Sequence, residues 1–130
     1  RLGIWPRIEN ADIAPSEVPI EERVELWVRQ HIHVEGRPEW IFIKVHTHGA
    51  TEINADYLFG GEFERLFSCL EGRYNDGRAY RLHYVTAREA YNIAKAAEAG
   101  HDGDPARFRD FLIPPARGVA ASRGAGGLGR

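Results

Sequence analysis

The chain has 130 residues, enough for one domain of ordinary size and too few for two independent cores. Hydrophobic residues make up 43% and charged residues 28%, a mixture that argues against a wholly disordered or membrane-embedded chain. With 17 basic against 19 acidic residues, a net charge of -2 and no dense Lys/Arg run, the electrostatic footprint of a nucleic-acid binder is missing.

The single cysteine, Cys69, excludes an internal disulfide and reads as a buried thiol on a helix. No apolar run approaches the roughly 20 residues of a membrane span, and no signal-peptide pattern follows Arg1. Because the first residue is Arg rather than Met, the chain is read as a fragment, a processed product or a trimmed form of a longer protein.

Residues 1–15, with Trp5-Pro6 and Ala14-Pro15, predict an irregular lead-in and one short strand at 2–5. Ile20, Val24, Trp27, Val28 and His31 then recur at three- and four-residue steps, predicting an amphipathic helix over 20–33. Glu21 and Glu22 fall in its first turn, where the helix dipole favours them. His31 and His33 would lie on different faces of that helix, which argues against a shared ligand.

Gly36-Arg37-Pro38 ends the helical pattern, and Arg37 and Glu39 are expected to serve stability. The run Trp40-Ile41-Phe42-Ile43-Lys44-Val45 predicts a strand buried on both faces, as in a parallel sheet. Residues 46–60 read as a long polar loop, and Phe63, Leu66, Phe67 and Leu70 mark a second helix. Asn75-Asp76-Gly77 is a turn, and residues 80–85 predict a second strand. Thr86 and Glu89 form a capping box for a helix over 87–99, closed by Gly100. A short last helix is expected within 105–112, and the Pro/Ala/Arg/Gly composition of 114–130 predicts a disordered tail. This order of strands and helices predicts an α/β fold with right-handed parallel βαβ connections. Two strands are few for the helices present, so upstream strands of a larger barrel or sheet are expected to be missing.

The sharpest chemical feature is Val45-His46-Thr47-His48-Gly49 after the first expected strand. Imidazoles at i and i+2 of extended chain point the same way, so both can reach one metal or one substrate, and Gly49 lets the chain turn away. Imidazole binds zinc and also exchanges protons near neutral pH, so the pair fits a metal or a general-acid role. His83 on the second expected strand, Arg88 just beyond it, and Asp56, Asn54 and Glu52 in the long loop are the polar groups expected around that pair. Glu89 is accounted for by the capping box.

The stretch Ile-Phe-Ile-Lys-Val-His-Thr-His-Gly, with Tyr-Arg-Leu-His-Tyr-Val-Thr-Ala-Arg-Glu further on, resembles the C-terminal part of the polysaccharide deacetylase-like family of barrels. Lys44-Val45-His46 matches that family's Leu-x-His motif with Val for Leu, and Val85-Thr86-Ala87-Arg88-Glu89 matches its Val-Thr-x-x-Glu helix start. The resemblance implies the C-terminal fragment of a distorted (β/α) barrel over 1–113, metal-dependent removal of acetyl groups from an amino-sugar polymer, and His46 as general acid. In that family an Asp and two His from early strands hold the metal. No Asp-Asp or His-x-x-x-His occurs in these 130 residues. The divalent metal, zinc by its chemistry, is therefore expected only with upstream sequence and not on this segment alone.

Catalytic residues are thus expected at His46 and His48, and substrate contacts at His83, Arg88 and Asp56, around a carbohydrate. Two alternatives stand beside this. His-x-His after a strand is similar to the first metal motif of amidohydrolase-type barrels, which predicts a metal on this chain. A non-catalytic accessory domain of a polysaccharide locus would use Trp5, Trp40 and the tyrosines for packing or sugar stacking, and binds no metal. Neither nucleic acid nor membrane is expected as a partner, and exposed strand edges predict self-association.

Overall fold

The structure is a computed structural model, described for residues 9–16, 18–49 and 51–113. Its elements are four α-helices, α1 (Ile20–Gln30), α2 (Glu52–Phe59), α3 (Gly61–Tyr74) and α4 (Ala87–Glu98), and one 3-10 turn, Pro105–Phe108. The lead-in strand expected at 2–5 and the tail expected from Pro114 lie outside the described residues.

Among the described residues there is no β-ladder, only two isolated bridges: Asp12 with His46 in parallel sense and Val34 with Arg37 in antiparallel sense. The expected parallel-stranded (β/α) barrel fragment is therefore not the fold, which is helical with irregular connections. Residues 40–45 and 80–85, expected as strands from their β-branched and aromatic content, carry no regular secondary structure. Such content alone does not make a strand, because a strand needs a neighbour to take its backbone donors and acceptors. Nor is residue run 40–45 buried on both faces: Trp40 is buried, while Ile43, Lys44 and Val45 are exposed.

The core is split in two. In the first part, Ile20, Val24 and Trp27 of α1 pack on Leu66 and Cys69 of α3, and Ile13 closes the group. Tyr57, Leu58 and Phe63 border it from α2 and the start of α3. The three- and four-residue spacing of α1's apolar positions produces this stripe. The helix ends earlier than its pattern predicts, because His31 adopts a left-handed conformation at φ 50° and caps it through N–H to the Val28 carbonyl. Cys69 is buried as expected, which pushes its thiol pKa up.

In the second part, Trp40 packs against Ile93 and Ala97 of α4 and against Phe108, with Val34, Phe42 and Val85 around them. The Trp40 indole N–H donates to the Gly103 carbonyl at 3.1 Å. Helix α4 opens on the expected capping box, with Glu89 N–H donating to Thr86 Oγ1 and Thr86 N–H to Glu89 Oε2. At its other end the Arg37 guanidinium donates to the carbonyls of Gly100 and His101, two acceptors that the helix cannot satisfy itself. Arg37, expected to serve stability, thus ties the segment before Trp40 to the end of α4.

The segment expected as a long loop contains α2. Its Ile53 and Phe59 are exposed while Asn54 is buried, so the period that reveals an amphipathic helix is absent. The turn at Asn75-Asp76-Gly77 is present: Asp76 Oδ1 accepts from the N–H groups of Arg78, Ala79 and Tyr80, and Gly77 supplies the positive φ. The last helix is shorter than expected, a single turn capped by Asp104 accepting from Ala106 N–H. No described helix is long and apolar enough to cross a membrane.

Candidate functional site

The His46 and His48 imidazoles stand edge to face, ring centroids 5.5 Å apart, just after the irregular run 40–45. Alternation along an extended backbone places residues 46 and 48 on one side. Gly49 follows at φ +87°, a conformation that a residue with a Cβ adopts only under strain, and Asn54 of α2 donates to the Gly49 carbonyl to hold the turn.

A third group joins the pair. The Ile13 N–H donates to the His46 carbonyl at 2.7 Å and the His46 N–H to the Ala11 carbonyl at 3.2 Å, which sets Asp12 beside His46 in a parallel bridge. Asp12 Oδ2 lies 3.8 Å from His48 Nε2. One ligand atom from each of Asp12, His46 and His48 can be chosen so that all three lie within 4.8 Å of one another. His48 is 71% exposed and open to an incoming molecule, whereas Asp12 and His46 are half-buried.

Asp12 is held from behind. The Arg23 guanidinium, on α1 and only 3% exposed, donates to the Asp12 main-chain carbonyl at 2.5 Å. The same guanidinium makes a two-point contact with Glu9, Nε to Oε2 at 3.0 Å and Nη2 to Oε1 at 2.8 Å, and lies over the Trp27 ring. Glu9 also accepts from the Trp27 indole N–H and the Ala11 N–H. Chiefly because of the Arg23 hydrogen bonds, its pKa falls from 4.5 to about 2. Ala11, next to Asp12, sits in the left-handed region at φ 59°, which costs a residue with a Cβ roughly 1 kcal/mol. The Glu9 carboxylate and the bridge to His46 hold it there.

Two polar atoms of the trio, Asp12 Oδ1 and His46 Nδ1, are buried with no hydrogen-bond partner among the described residues. Other histidines differ. His31 Nε2 meets the Pro38 carbonyl, and His33 Nδ1 meets the His31 carbonyl. His31 and His33 both lie beyond the end of α1, not on opposite faces of a helix.

The remaining expected contacts do not gather at the pair. His83 faces Asp104, with Nε2 3.8 Å from Oδ1, beside the Arg81–Asp104 ion pair. Arg88 is exposed in the first turn of α4. Asp56 is exposed on α2, where no hydrogen bond or ion pair ties it to His46 or His48. The residue that sequence reasoning missed is Asp12: nothing in Asn10-Ala11-Asp12-Ile13 marks it, since its role comes from a bridge to a distant segment. No family model, no curated protein and no solved structure matches the chain.

Proposed function

We propose that the chain carries a hydrolytic site centred on His46 and His48, acting on the acetylated amino groups of a sugar polymer. The observation that supports it is the convergence of two imidazoles and the Asp12 carboxylate, from separate segments, at an open turn of the chain. Such a set moves protons at neutral pH and leaves one side free for a bulky substrate. The resemblance of Lys44-Val45-His46 and Val85-Thr86-Ala87-Arg88-Glu89 to deacetylase motifs supplies the substrate class. The reaction adds water to the amide carbonyl, breaks the C–N bond, and releases acetate and the sugar amine, which takes up a proton.

The test is acetate release from acetylated chito-oligosaccharides by the purified chain, compared with His46→Gln and His48→Gln. At least a hundredfold loss in each variant, at unchanged circular dichroism, is expected for residues in direct proton transfer or ligation. Release below the buffer blank by the unaltered chain, or equal release by all three proteins, refutes the proposal.

A further inference from the structure

We infer that Asp12, His46 and His48 together bind one divalent transition-metal ion, with zinc the best match. This rests on the hydrolytic reading for its use, and on geometry alone for its existence.

Two imidazole nitrogens and one carboxylate oxygen form an N,N,O donor set suited to zinc and its first-row neighbours. With zinc–ligand distances near 2.1 Å, tetrahedral ligands stand about 3.4 Å apart. The three donor atoms already lie within 4.8 Å of one another, so closing the set needs side-chain rotation and no refolding. His48, the most exposed of the three, has the freedom to make that movement. The Asp12–His46 bridge fixes the other two in advance, and Arg23 anchors the Asp12 carbonyl.

The second observation concerns satisfaction. A buried polar atom without a partner costs about 1–3 kcal/mol, and two such atoms, Asp12 Oδ1 and His46 Nδ1, fall within one cluster of three residues. Both residues thus carry lone pairs that no protein donor takes, and a carboxylate oxygen and an unprotonated ring nitrogen are the groups that a cation accepts. Three protein ligands leave positions for water and substrate, the pattern of a catalytic ion and not of a closed structural one. A ring nitrogen that gives its lone pair to the ion carries no proton, so His46 then acts as a ligand in place of general acid.

The experiment is titration of the metal-stripped chain with Zn²⁺ alone by calorimetry, and with Co²⁺ alone by visible absorption. Expected are one equivalent bound with Kd of about 10 μM or tighter, Co²⁺ d–d bands, and at least tenfold weaker binding in each of Asp12→Asn, His46→Gln and His48→Gln. His33→Gln is the control and leaves the affinity unchanged. If the two half-buried positions fail to tolerate change, exposed His48 still decides. Binding weaker than about 100 μM, or affinity indifferent to His48→Gln, overturns the metal site. Acetate release that persists after chelation overturns the metal and leaves the hydrolase. Tight zinc binding without acetate release keeps the metal and overturns the hydrolase.

Discussion

Replacing Glu9 by Gln tests whether the ion pair behind Asp12 holds the site in place. The carboxylate accepts four hydrogen bonds, from Arg23 Nε and Nη2, the Trp27 indole and the Ala11 N–H. Its pKa lies at about 2 in the folded chain against 4.5 ordinarily. At about 1.4 kcal/mol for each tenfold change in proton affinity, the ceiling on its stabilisation is about 3 kcal/mol. Solvent at the open side of the carboxylate reduces this, and about 2 kcal/mol is expected. Gln keeps one acceptor oxygen but leaves the Arg23 charge buried without a counter-ion, the costly way to break such a pair. A depressed carboxylate pKa stabilises the fold fully above the unfolded value, and that stability is lost as pH falls from about 4.5 towards 2. Urea denaturation followed by circular dichroism at pH 7, 4 and 3 reads both effects. The unaltered chain loses stability between pH 5 and 3, and the Gln variant starts lower at pH 7 and loses less over that interval. A variant within about 0.5 kcal/mol of the parent at pH 7, with the same acid dependence, refutes the reasoning.

Four other substitutions probe how the helices are held. At Gly60 an added Cβ would meet the Asp56 carbonyl oxygen at 2.3 Å, so Gly60→Ala shifts the α2–α3 junction and costs about 1–3 kcal/mol by thermal denaturation. Thr86→Ala removes the acceptor for Glu89 N–H, and a loss of about 1 kcal/mol is expected, seen as faster amide exchange in the first turn of α4. Val24 is fully buried between α1 and α3, so Val24→Ala leaves a cavity and costs about 2 kcal/mol in urea denaturation, while Val28→Ala, only half-buried, costs less.

What the sequence made legible was local. The apolar spacing of Ile20, Val24 and Trp27, the capping box at Thr86 and Glu89, and the Asn75-Asp76-Gly77 turn are each decided within a few residues, and each is present. The strands expected at 40–45 and 80–85 are absent, although their β-branched and aromatic side chains favour extended backbone locally. Sheet formation was not legible, because it depends on a partner strand that residue type does not supply. Helix α2 escaped because it is short, carries Asn54 and Asp56, and shows no apolar stripe. It is held by its junction with α3 and by the Asn54 contact to Gly49.

The site follows the same division. His46 and His48 were visible because their pairing is a property of adjacent extended residues, read directly from a spacing of two. Asp12 was not, because only the parallel bridge places it there, and its backing by Arg23 and Glu9 comes from α1 and the segment before it. The two parts of the trio have different supports. His48 follows the chain into the Gly49 turn and touches only His46 and Asp12 within the trio, while Asp12 depends on a left-handed Ala11, a buried guanidinium and a carboxylate held near pKa 2. Perturbing Glu9 therefore loosens Asp12 and spares the imidazoles, so zinc affinity falls in Glu9→Gln although no ligand is changed. A metal site assembled only by the His-x-His spacing would show no such dependence, which makes this variant the point where fold and chemistry are tested together.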